Sequence, residues 1–273
     1  MTSCSVCGSP NDLPCQACRL QPQDYHAVKD AWLVHRREEA DVVYDRGPTV
    51  EWAVAAMPGG IVAVWSRQQQ RFLAVPTQAP ADARRYAWLE LTTACPHRCR
   101  HCFLGSRLGH GHVPLADVEK AIAEAAALGV DEIVLTGGEP TMHPRFVTLL
   151  ECVLETGVSA RVLTNGWTQR EAVVAALAAT GVEVEIPLLG WKDDHDRMTR
   201  TPGSFQRVTD TLRIYRSRGI ALTLTTTLTK AGVHALPALR QFAAELGVPL
   251  APSSLVPQGT AVDNWEEIAP TGS

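Results

Sequence analysis

Residues 131–166 read DEIVLTGGEPTMHPRFVTLLECVLETGVSARVLTNG. DEIVLT (131–136) is a short apolar run and reads as a buried strand. PRFVTLLECVLETG (144–157) carries apolar residues at helical spacing and stops at Gly157, a helix C-terminus signal. SARVLT (159–164) reads as a second strand, followed by the turn dipeptide Asn165-Gly166. Two strands joined by one helix form a βαβ unit, and so a parallel pair with a right-handed crossover.

The unit repeats on both sides. Upstream, WLELTT (88–93) reads as a strand and PLADVEKAIAEAAALG (114–129) as a helix. Downstream come the helix TQREAVVAALAATG (168–181), the strand VEVEIPLL (182–189) and the helix SFQRVTDTLRIYRSRG (204–219), with Ser204 expected as its N-cap. The strand IALTLTTTL (220–228), the helix HALPALRQFAAELG (234–247) and the strand VPLAPSSLV (248–256) close the series. Six strands and five helices predict an α/β fold, a partial (βα)6 barrel of TIM type over residues 87–259, short of the eight units of a full barrel.

Before this core, TVEWAVA, IVAVWS and RFLAV (within 50–75) read as a β-meander with turns at MPGG and RQQQ. Residues 24–38 are expected to form a short helix, making 24–80 a small α+β segment, and QAPADARR (78–85) a linker. Residues 1–23 are too poor in apolar side chains to fold unaided, and 260–273 is expected to be a C-terminal tail.

A net charge of −4 over 273 residues argues against a general polyanion binder. No apolar run approaches the ~18 residues of a membrane span. The N-terminus lacks the basic start and apolar stretch of a signal peptide. A soluble, cytoplasmic protein is the expectation.

Seven of the eight cysteines are clustered. In a reducing compartment, clustered thiols point to metal ligands ahead of disulfides. Cys95, Cys99 and Cys102 fall within eight residues, just after the first strand of the series, at the end where parallel α/β folds place their active sites. Soft thiolates select iron–sulfur clusters, zinc or Cu(I). A cubane is usually held by four cysteines, so three leave one iron open. The competing reading is a structural zinc site completed by His97 or His101. Gly137-Gly138-Glu139-Pro140 and Thr164-Asn165-Gly166 follow the second and third strands, and Leu189-Gly190 the fourth, so four loops converge on one rim.

Cys95-x3-Cys99-x2-Cys102, with GGEP one βα unit later and TNG after the third strand, resembles the radical S-adenosylmethionine (radical SAM) superfamily over residues 87–259. The resemblance implies that Cys95, Cys99 and Cys102 hold a [4Fe–4S] cluster and that S-adenosylmethionine chelates the open iron. It implies that the cluster, reduced by a carrier such as flavodoxin or ferredoxin, cleaves the cofactor to a 5′-deoxyadenosyl radical, which abstracts a substrate hydrogen. Gly137, Gly138, Glu139 and Pro140 resemble the loop that receives the methionine amino group, and Thr164 and Asn165 the polar pair near the cofactor. At the fourth strand, Pro187 and Leu189 stand where many relatives carry Ser and Asp. Trp191-Lys-Asp-Asp-His-Asp-Arg and Pro202-Gly-Ser-Phe resemble a loop and helix start of peptide maturases and pyranopterin synthases. A peptide is therefore the expected substrate, with a lipid, nucleoside or tRNA as alternatives. A non-catalytic zinc-binding interaction protein with a degenerate barrel is the reading from another class.

Asp193, Asp194, His195 and Asp196 are expected to be a solvated loop, as are His110 and His112, and Cys152 a buried inert thiol. Cys4-x2-Cys7 and Cys15-x2-Cys18 are paired hooks of the kind that place four thiolates around zinc. A small knuckle is expected there, its folding energy supplied by the metal. An auxiliary iron–sulfur cluster is the competing reading.

Overall fold

The computed structural model describes the strand residues 33–37, 40–44, 53–54, 62–66 and 71–74, and then residues 85–256 and 258–270. The four cysteines expected to form the zinc knuckle lie outside the described residues.

Six parallel strands form the core: β6 (Tyr86–Glu90), β7 (Glu132–Thr136), β8 (Ser159–Leu163), β9 (Glu183–Pro187), β10 (Ala221–Leu228) and β11 (Leu250–Ser254). They pair in sequence order, each parallel to the next. Between them run α1 (Leu115–Ala127), α2 (Phe146–Glu155), α3 (Glu171–Thr180), α5 (Ser204–Ser217) and α6 (Lys230–Leu246). This is the expected partial (βα)6 barrel. Helix α3 ends at Gly181 (φ +66°) and α6 at Gly247 (φ +66°), left-handed positions that glycine adopts without a Cβ penalty.

Alternation along the strands divides the side chains between two faces. Ala87, Leu89, Ile133, Leu135, Val162, Val184, Ile186 and Leu224 pack with Ile122, Leu149, Leu177 and Leu212 of the helices in one buried cluster. The opposite face carries Arg161, whose guanidinium reaches Glu132 at 2.8 Å, Glu185 at 2.5 Å and Glu183 at 3.5 Å.

Several expectations are corrected. Leu33–Arg37, inside the segment read as a helix, is a strand, β1, antiparallel to β2 (Ala40–Tyr44). Its Leu-Val-His-Arg-Arg sequence suits an extended ladder as well as a helix, and pairing decides. The meander is split: β4 (Val62–Ser66) and β5 (Arg71–Ala74) form the expected hairpin, but β3 (Ala53–Val54) pairs with β2. Strand β4 also runs parallel to β6, which extends the barrel sheet at that edge. Asp193–Thr199 is a helix, α4, where a solvated loop was expected, and His195 within it is 1% exposed. Three aspartates in its first turn complement the helix N-terminus.

Another correction concerns α5. Ser204 makes no cap hydrogen bond; Asp196 of α4 does that work, accepting from Gly203 N at 2.5 Å and Phe205 N at 2.7 Å. Cys152 is half-buried against the core cluster, not enclosed by it. Residues 260–268 of the expected tail hold two short helices, α7 (Thr260–Asp263) and α8 (Trp265–Ile268). No helix among the described residues is long and apolar enough to cross a membrane.

Candidate active site

Strand β6 ends at Glu90, and the chain turns at once into the loop that carries Cys95, Cys99 and Cys102. The GGEP loop, which follows β7, lies directly against it. Gly138 N donates to Thr92 O at 2.7 Å and Glu139 N to Ala94 O at 2.8 Å. A Cβ on Gly137 would stand 2.5 Å from Thr92 O, and one on Gly138 2.5 Å from Ala94 O. Only glycine permits this approach. The Gly-Gly pair is thus required by contact with the cysteine loop.

Glu139 is fully buried. Its Oε1 accepts from Thr141 N at 3.0 Å, Thr141 Oγ1 at 2.5 Å and Thr164 Oγ1 at 2.7 Å; its Oε2 accepts from Asn165 N at 2.7 Å. The carboxylate therefore ties the loop after β7 to the loop after β8. Burial pushes its acidity above the usual carboxylate range, and the four donors oppose that rise. Asn165 continues the link, its Nδ2 donating to Cys95 Sγ at 3.5 Å. Thr164, Asn165, Glu139 and the cysteine loop are one connected unit.

Burial raises all three thiols: Cys95 to about 11, Cys102 upward, and Cys99 well above its ordinary value. Each also lies within Coulombic reach of another of the three. With acidity lowered in this way the three groups are neutral thiols near neutral pH, and a cationic centre between them would be needed to hold them as thiolates. Among the described residues, no three His, Cys, Asp or Glu side chains are disposed around a single ion. Three soft sulfur donors on one loop would suit a [4Fe–4S] cluster with one iron left open. The donor set fits a cluster, and His97 is engaged elsewhere: its Nε2 meets Ser204 Oγ at 3.1 Å and its ring stands edge-on to Trp167.

The fourth rim loop contributes no polar side chain at the two divergent positions. Pro187 ends β9, and Leu189 is 3% exposed in an apolar cluster with Met198, Leu255, Ala261, Trp265 and Ile268, against which Cys99 packs.

Sequence reasoning missed the residues that hold the outer side of the cysteine loop. Thr260 N donates to Cys102 O at 3.0 Å and Thr260 Oγ1 to Cys99 O at 2.9 Å, while Asn264 Nδ2 donates to Arg100 O at 3.1 Å. Arg100 also pairs with Glu267. Nothing in the local sequence marks these positions, because their partners lie some 160 residues away. His112 keeps the expected loop position, with Nδ1 2.8 Å from Thr92 Oγ1.

A model of the radical SAM superfamily matches residues 89–234. PqqA peptide cyclase of Ruegeria pomeroyi is 34% identical over 163 residues, covering 58% of this chain and 43% of that protein. Mycofactocin maturase MftC of Mycobacterium ulcerans is 30% identical over 187 residues, covering 67% and 51%. AdoMet-dependent heme synthase of Methanosarcina barkeri is 29% identical over 199 residues, covering 71% and 56%. The chain spans about half the length of these curated relatives. Among solved structures, SuiB of Streptococcus suis bound to S-adenosylmethionine aligns with a TM-score of 0.57 at 19% identity, over 62% of this chain and 40% of that one, a likeness of fold.

Proposed function

Since this chain belongs to the radical SAM superfamily, we propose that Cys95, Cys99 and Cys102 ligate a [4Fe–4S] cluster and that S-adenosylmethionine binds beside it. When bound, the reduced cluster supplies the electron that cleaves the cofactor to a 5′-deoxyadenosyl radical, the species that takes a hydrogen atom from substrate. The protein's part is to bind, orient and exclude water.

The observation that carries this reading is the joining of three rim loops around Glu139: its buried carboxylate ties the loops after β7 and β8, and its backbone N–H and Asn165 Nδ2 hold the cysteine loop. Glu139 fixes Thr164 and Asn165 next to Cys95, and the Gly137–Pro140 backbone forms the adjacent wall. In this reading that wall receives the methionine amino group. Glu139 acts by orienting the wall, since its acceptor contacts are on protein donors. The apolar cluster behind Cys99 keeps water from that side.

A peptide substrate is supported by relatives named as a peptide cyclase and a maturase. A one-electron carrier such as flavodoxin or ferredoxin would reduce the cluster, in a cytoplasmic setting that keeps thiols reduced. We also propose that residues 1–23 form a separate zinc knuckle on Cys4, Cys7, Cys15 and Cys18, with 24–80 as a small segment before the 87–259 core. Anaerobic reconstitution with iron and sulfide, followed by assay of 5′-deoxyadenosine, tests the central reading. Alanine at Cys95, Cys99 or Cys102 should abolish both cluster and product. Normal iron content and turnover in any one of these variants would overturn it.

A further inference from the structure

The segment from Trp191 to Phe205 stood out in the sequence, and the proposed chemistry leaves it without a role. In the structure it forms a second support for the cysteine loop. Arg98 N donates to Thr199 O at 3.0 Å and Arg100 N to Met198 O at 2.8 Å, so the last turn of α4 holds the loop's backbone. Beneath this contact lies a buried line of three side chains. Leu189 N donates to His195 Nδ1 at 3.1 Å; His195 Nε2 and Ser204 Oγ are 3.1 Å apart; Ser204 Oγ and His97 Nε2 are 3.1 Å apart. His97, His195 and Ser204 are each 2% exposed or less.

The direction of this line follows from its first link. A backbone N–H can only donate, so Nδ1 of His195 carries no proton. A ring with no proton on Nδ1 is the neutral tautomer. The proton of His195 then sits on Nε2 and donates to Ser204 Oγ. The Ser204 hydroxyl donates onward to His97 Nε2, leaving the His97 proton on Nδ1. Every member of the line has its tautomer or rotamer set by the one before it. At the far end, His97 N donates to Cys95 Sγ at 3.4 Å.

We propose that His195 and Ser204 are positioning residues: they lock His97, and through it aim the His97 amide at the sulfur of Cys95. The proposal rests on the cluster reading above and assigns a role to residues that touch neither cluster nor cofactor. Hydrogen bonds to ligand sulfurs stabilise the added charge of a reduced iron–sulfur cluster and so raise its potential. Removing the lock weakens that hydrogen bond and shifts the midpoint potential to a more negative value. Asp196, by capping α5, sets the position of Ser204 with respect to His195.

The test uses the full chain, reconstituted, with Ser204→Ala, His195→Leu, His97→Leu and His97→Gln. The glutamine keeps an acceptor near the place of Nε2. Thr211→Ala is the control, a buried hydroxyl on the same helix that bonds Gln169 and Arg207 away from the loop. Three readouts are taken: the cluster's midpoint potential, its paramagnetic resonance in the reduced state, and amide exchange of residues 97–100 in the metal-free protein. The expected result is a lowered potential, an altered signal and faster loop exchange in the alanine and leucine variants with iron content retained, near-normal values for His97→Gln, and no change in Thr211→Ala. Wild-type potential and wild-type loop exchange in Ser204→Ala and His195→Leu overturn the proposal, as does an equal shift in the control. If the wild-type chain takes up no cluster, the function proposed above falls. The exchange of residues 97–100, together with the ring tautomers of His97 and His195 read by nitrogen resonance, then decides the lock by itself.

Discussion

Glu139 shows how one residue can be read correctly for place and incompletely for role. Its position in GGEP put it beside the cysteines, and the structure adds that its carboxylate is consumed by Thr141, Thr164 and Asn165. Glu139→Ala orphans those donors in a buried site, at about 1–3 kcal/mol for each unsatisfied group. The expected outcome is a chain that unfolds at lower denaturant and, where folded, binds S-adenosylmethionine roughly tenfold or more weakly, by calorimetric titration. Unchanged affinity would remove the β7–β8 tie from the cofactor site. The raised acidity also has a sign. A carboxyl held above its unfolded value binds its proton more tightly in the native state, so it favours folding below about pH 4.3 and loses that contribution as pH rises through the folded value. Glu139→Gln should flatten that part of the stability–pH curve.

At the scale of elements, the sheet and its helices depend on packing that the sequence pattern already displays. Leu149 of α2 is fully buried against the β-sheet. Leu149→Ala should cost about 2–5 kcal/mol in denaturant unfolding, while the reconstituted cluster keeps its spectrum, because Leu149 sits in the sheet–helix core and on none of the rim loops. The C-terminal helices behave differently. Asn264 holds Arg100 O and Thr260 O, a clamp on the cysteine loop beside the small apolar cluster that buries Ala261, Trp265 and Ile268. Asn264→Ala should cost only about 1 kcal/mol yet shorten the cluster's lifetime in air. A lifetime equal to wild type would show that α7 and α8 only cover the loop. Helix α4 was missed because its aspartates and histidine look solvated in isolation. His195 is buried where Leu189 N and Ser204 Oγ meet its two ring nitrogens and Phe205 stands edge-on to it.

For the whole molecule, metal stoichiometry separates the proposed sites. Anaerobically purified protein should carry about one zinc and about four irons per chain, one tetrahedral site and one cubane. About eight irons without zinc would make Cys4, Cys7, Cys15 and Cys18 a second cluster. The barrel itself was legible in advance. Period-3.6 helices ending at Gly129, Gly157, Gly181, Gly219 and Gly247, each followed by an apolar strand, permit one kind of parallel sheet. The three cysteines, GGEP and TNG were legible too, because each sits next to a strand end and carries its chemistry in residue type.

What the sequence by itself determined is therefore the parallel βα series and the identity of the rim loops, both properties of contiguous residues. Only the tertiary structure decided how those loops are held. The carboxylate of Glu139 bonds Thr164 and Asn165 from another loop, Ser204 leaves its expected cap to join His97 and His195, and Thr260 and Asn264 close on Cys99, Cys102 and Arg100. Each but the Ser204–His195 contact, nine residues apart, is a hydrogen bond between residues 25 or more positions apart in the chain. Its energy exists only once the barrel has brought donor and acceptor together in a buried place, and no local pattern encodes that meeting.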